Sequence, residues 1–515
     1  MKIMFPFGTI ILIFSLTLSS RAQEAAESLA LPNPELKQYL QQRKRSERPA
    51  PGAFESAPVF SLTEDSIHYQ TLQKAGRVYQ PLHVSDEALI QLKADISPRE
   101  VSSLIEQYGL TVIDTFPEIG TLHVNIANLR QRSAAPAPAE VSPATSSLTP
   151  ALNALKQDAR ILSVAPNSAL TPHQVISSIR PHLTKSTFRE SALAEVADWG
   201  MADAKVDQEW TRIAGRTFRV GIIDVGFRLD HEDLKVTPGL STKIEVHDHG
   251  THVAGIICGQ HNGVGVKGVL PGCTLVISTG AFILNLSDPI ENLNLNTQIY
   301  GTFAEFIATI LDFINRNEGV KEINLSLGYN WKPNLNVNPA DGDSKANQDI
   351  RDLVRMQGRI FLSILTVARS RDIAIVSAAG NDSSSLVTPA PAKWASPFNW
   401  AALTMRQQEG WSNGLVVEAH GKDGKRATFS NIGGLISAPG FEVYSTLASA
   451  RDAYGLLSGT SMAAPYVTGA LAMLRSARPE LKLRQAIECL TMSPTSTDTK
   501  APKLDAQFAV ENCQP

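Results

Sequence analysis

The chain has 515 residues, of which 43% are hydrophobic and 19% charged. That is an ordinary globular balance, which excludes disorder over most of the length and sets a prior of roughly two to four domains. Forty-seven Lys and Arg against 50 Asp and Glu give 47 − 50 = −3, an imbalance too small to single out nucleic acid or an anionic membrane as a partner.

Residues 1–22 read as a signal peptide. Lys2 is followed by an apolar run from Ile3 to Leu18, and Ser20-Arg21-Ala22 places small residues at −3 and −1 before Gln23. The run is shorter than the about 20 apolar residues a membrane span needs, so the expectation is cleavage and secretion, extracellular or periplasmic, with no membrane contact after signal removal. Residues 23–84 are polar and read as a mostly extended leader. Its cluster Arg43-Lys44-Arg45, with Arg48, reads as a solvated charge run, with a processing site as the alternative.

Residues 85–170 read as a small α+β unit in the order βαββ, linker, αβ. Ala88–Leu92 is a predicted strand. Ser97-Pro98-Arg99-Glu100 is a capping box with Pro at the first helical position, and Val101, Leu104, Ile105 and Tyr108 follow at helical spacing up to Gly109. Leu110–Phe116 and Thr121–Ile126 are predicted strands. An Ala/Pro linker spans 133–147, a helix starts near Thr149-Pro150, and Ile161–Val164 is a final strand. A junction, 171–198, leads to the largest unit, 199–515.

In that unit short apolar runs alternate with helical patterns. Phe218–Ile223, Leu275–Ile277, Ile323–Leu327 and Ile373–Ala378 have the composition of strands buried on both faces. Phe303–Asn315 and Asp349–Arg369 read as helices between them. The expected class is α/β, a mainly parallel sheet flanked by helices, preceded by the small α+β domain. Asn330–Asn347 reads as a polar surface insertion. The four cysteines are Cys258, Cys273, Cys489 and Cys513. For Cys258 and Cys273 a disulfide and a pair of small buried hydrophobes stand equal. Cys489 and Cys513 are expected to pair, because the polar tail 493–503 between them has little else to hold it.

Four segments carry chemistry. Arg219–Gly226 ends a buried strand in Asp224, where open α/β sheets place functional groups; alone, it would be read as a turn Asp. His249-Gly250-Thr251-His252-Val253-Ala254-Gly255 puts His249 near a helix start among small residues, while His252 suits a core position. A metal site is disfavoured: H-E-x-x-H is absent and adjacent side chains rarely converge on one ion. Gly459-Thr460-Ser461-Met462-Ala463-Ala464-Pro465 places Ser461 at the start of an apolar helix, where amides favour negative charge. Ser377-Ala378-Ala379-Gly380-Asn381-Asp382 delivers Asn381 at a strand end, an amide able to stabilise an oxyanion. A Ser becomes nucleophilic when a His takes its proton, and a carboxylate fixes the tautomer of that His. The order Asp, His, Ser is the one known from subtilisin.

Residues 199–480 resemble the subtilisin-like (subtilase) peptidases. The resemblance rests on HGTHVAG at 249–255, GTSMAAP at 459–465, His231-Glu232-Asp233-Leu234, and Ile323–Gly328. It implies a catalytic triad of Asp224, His249 and Ser461, and an oxyanion hole of Asn381 and the Ser461 backbone N–H. It also implies a cleft in which Ser326, Leu327 and Gly328, with Ala379 and Gly380, bind the peptide as an added strand. Residues 86–168 resemble the family's propeptide domain, a folding helper and inhibitor. Two departures stand out: Val225 replaces a family hydroxyl residue, with a lost hydrogen bond to Asp224 and lower activity as the expected result. The interval 249 − 224 = 25 residues is also short, so no calcium ligands are carried over.

The reading is a secreted serine endopeptidase, made as a precursor that cuts itself between Asn167 and Lys185, with Ala165–Thr171 lying along Ser326–Gly328. Its expected partners are a polypeptide substrate and its own propeptide. No nucleic acid is expected, and the chain is expected to be a monomer. No cofactor is required for the chemistry; structural calcium is an expectation without assigned ligands. The alternatives are a catalytically impaired binding protein on this fold, and an esterase or transferase using the same triad.

Overall fold

The computed structural model describes residues 29–44, 82–133, 149–168, 195–238, 246–279, 302–316, 319–327, 348–381, 383 and 396–514, and the short strands at 67–69, 72–74, 77–79, 284–285 and 298–299. The signal peptide, almost all of the Ala/Pro linker, residues 169–194, Gly328 and the insertion 330–347 lie outside the described residues.

The N-terminal unit is a five-stranded antiparallel sheet. Its long central strand, β1 (Leu82–Leu92), pairs with β3 (Thr121–Asn125), with β4 (Ile161–Ser168) and, near its start, with the strand Ile67–Tyr69; β2 (Thr111–Phe116) completes it beyond β3. The capping box forms as read: Ser97 Oγ accepts from the Glu100 N–H, and Glu100 accepts from the Ser97 N–H, opening α2 (Pro98–Tyr108). The helix near Thr149 is α3 (Thr149–Lys156). The leader departs from the expectation of extended chain. Asn33 caps a helix, α1 (Pro34–Gln41), whose Leu36 and Leu40, four residues apart, are wholly buried in the core of this unit. Two anchors in one short turn are too few for a periodicity argument, although Asn33-Pro34-Glu35 is a helix-start pattern.

A second difference concerns β4. Ala165, Pro166 and Ser168 pair with Leu89, Ala88 and His83 of β1 rather than with Ser326 and Leu327. The strand runs on past Val164 because Asn167 is anchored on both sides: its Nδ2 donates to Glu87 (2.7 Å), and its Oδ1 accepts from the N–H of Ala304 (2.9 Å).

The larger unit is a seven-stranded, wholly parallel sheet. In spatial order its strands are β6 (Val236–Pro238), β7 (Cys273–Thr279), β5 (Phe218–Asp224), β8 (Glu322–Leu325), β9 (Ala374–Ala378), β10 (Gly414–His420) and β11 (Ile436–Pro439). Alternate strand residues face two cores. Val220, Ile222, Leu275 and Val376 meet α4 (Asp248–Cys258) and α8 (Thr460–Ala477). Ile223, Val276, Ile323 and Ile375 meet α5 (Phe303–Arg316), α6 (Gln348–Ser370) and α7 (Pro397–Glu409). The second core also takes in Leu89, Phe116, Ile119 and Ala165, so the sheet face of the N-terminal unit is packed onto α5 and α6. Gln91 to Ser363 (2.7 Å), Ser163 to the Met356 carbonyl (3.0 Å) and Gln357 to Ser168 (2.9 Å) add buried hydrogen bonds across that contact.

Both cysteine pairs are joined. Cys258, the last residue of α4, bonds Cys273 at the start of β7; Cys489, in α9 (Leu483–Leu490), bonds Cys513. The tail between the latter pair has more holding it than the sequence suggests. Pro502 and Leu504 straddle Ser437 by backbone bonds of 2.7 and 2.8 Å, Thr499 donates to Glu418, and Asp498 accepts from the Arg426 N–H. We expect no free thiol on the denatured, unreduced protein. Replacing Cys489 and Cys513 by Ser should cost about 3.5 kcal/mol in a urea titration, the loop-entropy value for a closure of this size, with the tail still protected in hydrogen exchange. A count of four thiols would rule the pairing out.

Candidate active site

Four chain segments meet at the carboxyl ends of β5, β8 and β9. Asp224 is the last residue of β5 and is fully buried. Its Oδ1 accepts from the Val225 N–H at 2.7 Å and bonds His249 Nδ1 at 2.6 Å. Among the described residues Asp224 Oδ2 has no hydrogen-bond partner. Val225 therefore contributes a backbone bond to the carboxylate and no side-chain one.

His249 is the second residue of α4. The helix can dock because position 250 is Gly: a Cβ there would collide with the carbonyl oxygen of Gly226 and lie 3.1 Å from the Asp224 Cβ. His247 caps the helix, its Nδ1 accepting from the His249 N–H at 3.1 Å. Burial, and then the neighbouring His249, hold the His247 imidazole below its ordinary range, which keeps it neutral and able to accept. With Nδ1 engaged by Asp224, the ring nitrogen left to His249 for any other contact is Nε2, buried and without a partner among the described residues.

Ser461 is the second residue of α8, after Gly459 and Thr460. Its Oγ donates to the Ser326 carbonyl at 3.4 Å, a long bond, while Ser326 Oγ donates to the Ser461 carbonyl at 2.9 Å. The Ser461–His249 hydrogen bond is not formed here; such bonds commonly tighten only around substrate. Asn381 follows β9. Its Oδ1 accepts from both the N–H (2.8 Å) and the hydroxyl (2.9 Å) of Thr460. That double contact turns Nδ2 to the other side, next to Gly459. Asn381 is 8% exposed against 0–1% for Asp224, His249 and Ser461, so of the four it reaches furthest toward solvent.

The structure thus brings Asp224 and His249 into contact, Asn381 against the residue preceding Ser461, and Ser461 against Ser326. Leu327 follows Ser326 beyond β8, and Ala379 and Gly380 form the turn into Asn381. Thr460, His247, Asn399 and Asn431 also hold these segments; the sequence drew attention to His247 only as a neighbour of His249 in a disfavoured metal cluster and to Thr460 only as the residue beside Ser461, and gave no signal for Asn399 or Asn431. His252 is a core residue. Its Nε2 donates to the carbonyls of Val443 and Gly455, both at 3.1 Å.

The sequence profile of the subtilase family matches residues 215–509. The chain belongs to the subtilase family. Relatives include subtilisin DY of Bacillus licheniformis, 29% identical over 312 residues, covering 59% of this chain and 93% of that protein. Another is a thermostable alkaline protease of Halalkalibacterium halodurans, 26% identical over 414 residues, covering 78% of this chain and 85% of that protein. Among solved structures, the fold is similar to fervidolysin of Fervidobacterium pennivorans, a keratinolytic enzyme related to subtilisin. The TM-score is 0.53 at 18% identity, over 89% of this chain and 65% of that one. This subtilase is a serine-type endopeptidase, a hydrolase. Members of the family need no cofactor for catalysis and often bind structural calcium. Among the described residues no group of three or more His, Cys, Asp or Glu could hold an ion, so no calcium ligands are assigned. Among them, too, no helix is long and apolar enough to cross a membrane.

Burial pushes the His252 imidazole down from 6.5 to about 3. The unfolded chain takes up a proton in that window and the native state does not, so stability falls as pH falls from 6.5 toward 3. The slope is up to about 1.4 kcal/mol per pH unit. His252→Gln keeps an N–H donor for the two carbonyls and cannot titrate. Its stability-versus-pH slope should be shallower by about one proton; an identical slope would mean that His252 is protonated in the fold.

Proposed function

We propose that this subtilase hydrolyses peptide bonds through an acyl-enzyme formed on Ser461, with His249 as general base and then acid, and Asp224 orienting His249. The observation that carries the reading is the buried 2.6 Å bond between Asp224 and His249 Nδ1, which leaves Nε2 as the basic nitrogen. Ser461 Oγ attacks the scissile carbonyl while its proton passes to Nε2. The imidazolium that forms is stabilised by Asp224. The oxyanion is met by the Ser461 N–H, at the positive end of α8, and by Asn381 Nδ2. His249 returns the proton to the departing amine, and a water, deprotonated by the same nitrogen, releases the acyl group. Ser326 and Leu327, just beyond β8, would bind the peptide backbone as an added strand, with Ala379 and Gly380 opposite.

The N-terminal unit is, in this reading, an intramolecular propeptide. It is packed on α5 and α6 through a shared apolar core, a large contact that would hold the unit in place after cleavage. Because Asn167 and Ser168 are committed to β4, the peptide crossing the cleft must come from beyond Ser168. Export through residues 1–22 and action outside the cytoplasm on polypeptides complete the proposal.

Ser461→Ala should abolish both hydrolysis and labelling by a fluorophosphonate, and by mass spectrometry should keep residues 23–168 attached where the wild type loses them. Equal masses would end the precursor model, and undiminished hydrolysis would end the triad assignment. Asn381→Ala should lower kcat by about 10² to 10³, the cost measured for such an amide in subtilisin, a member of this family.

A further inference from the structure

The segment that carries Asn381 cannot hold itself in place. β9 stops at Ala378, and Gly380 has φ +105°, a conformation that side-chain-bearing residues rarely adopt. What holds it are three side chains from elsewhere in the chain. Asn399, in the first turn of α7, is 1% exposed. Its Nδ2 donates to two successive carbonyls, Ala378 (3.1 Å) and Ala379 (3.3 Å), and its Oδ1 accepts from Ser377 Oγ (3.4 Å). The Asn399 N–H is itself fixed by Ser396 Oγ at 3.1 Å. On the other side, Asn431 donates from Nδ2 to Ala379 (3.2 Å) and from its N–H to Gly380 (2.9 Å), and Thr460 Oγ1 accepts from the Gly380 N–H (3.0 Å).

We propose that Asn399 is a positioning residue for the oxyanion side of the site. By gripping the Ala378 and Ala379 carbonyls it sets where the Gly380 peptide lies, and so where the Asn381 amide points. The inference rests on the role given to Asn381 above. A primary amide is the neutral group that can serve two carbonyls from one nitrogen and still accept through its oxygen. Ala leaves buried carbonyls with fewer donors, and Asp sets oxygen against oxygen. Asn399 lies in a crossover helix and touches no reacting atom; its effect passes through Asn381.

The test is a double-mutant cycle on the purified enzyme, with reactive serine titrated by a fluorophosphonate. kcat, KM for a peptide substrate and the thermal midpoint are measured for Asn399→Ala, Asn381→Ala and the pair. Asn399→Ala should lower kcat about 10-fold or more and change KM less than about threefold. In the Asn381→Ala background the same change should lower kcat less than about twofold, while the midpoint falls equally in both backgrounds. Asn399→Asp should show the same pattern. Should Asn399→Ala fail to accumulate, Asn399→Ser, which keeps one donor, is read by the same criteria. Losses in kcat that multiply, or a fall in midpoint with kcat unchanged, would overturn the proposal while leaving the oxyanion role of Asn381 intact. An unchanged kcat in Asn381→Ala alone would overturn both.

Discussion

The site depends on one contact, the hydrogen bond between two side chains that water does not reach, Asp224 and His249. A carboxylate taken out of water is costly unless its oxygens are met by donors. Here Oδ1 receives a backbone N–H and an imidazole N–H, while Oδ2 receives nothing among the described residues. The contact is therefore made by placement rather than by a rich local network. The placement comes from large elements: a buried strand that ends at Asp224, and a helix whose Gly250 permits it to press against the Gly226 carbonyl. The Cys258–Cys273 bond ties the far end of that helix to β7, the strand paired with β5, with Thr279 beside Asp224. Both ends of the helix are thus referred to the same sheet.

The same logic extends to the other half of the site. Ser461 and Asn381 lie on different elements, α8 and the end of β9, and Thr460 joins them. Its N–H and hydroxyl engage Asn381, and its hydroxyl oxygen accepts from Gly380. Small residues at these joints are room for backbone to approach backbone. The polar groups so buried find partners, as a rigid site requires.

The N-terminal unit shares an apolar core with α5 and α6 and exchanges buried hydrogen bonds with them. That contact is on the face of the parallel sheet away from α4 and α8, the helices that bear His249 and Ser461.

Much of this was legible in the amino-acid order. The α/β class followed from alternating buried strands and helical patterns, because burial on both faces leaves continuous runs of branched residues. Asp224, His249, Ser461 and Asn381 stood out because each lies at a strand end or helix start among small residues, a local feature. The capping box at Ser97 was equally local. What the chain order could not express was anything made between distant segments. The leader helix at Pro34 has two apolar anchors that mean something only against the sheet they meet. The run of β4 to Ser168 depends on Asn167 meeting Ala304 and Glu87, and the docking of the tail 493–503 on Ser437, Glu418 and Arg426. Asn399 is a plain residue in a helix by pattern; its two bonds to Ala378 and Ala379 exist because the crossover brings α7 back over the strand it left. Residue types and local spacing named the chemistry, since reactivity needs particular groups. Tertiary structure alone decided which carbonyls, amides and glycines hold those groups, since hydrogen bonds across tens or hundreds of residues leave no periodicity to read.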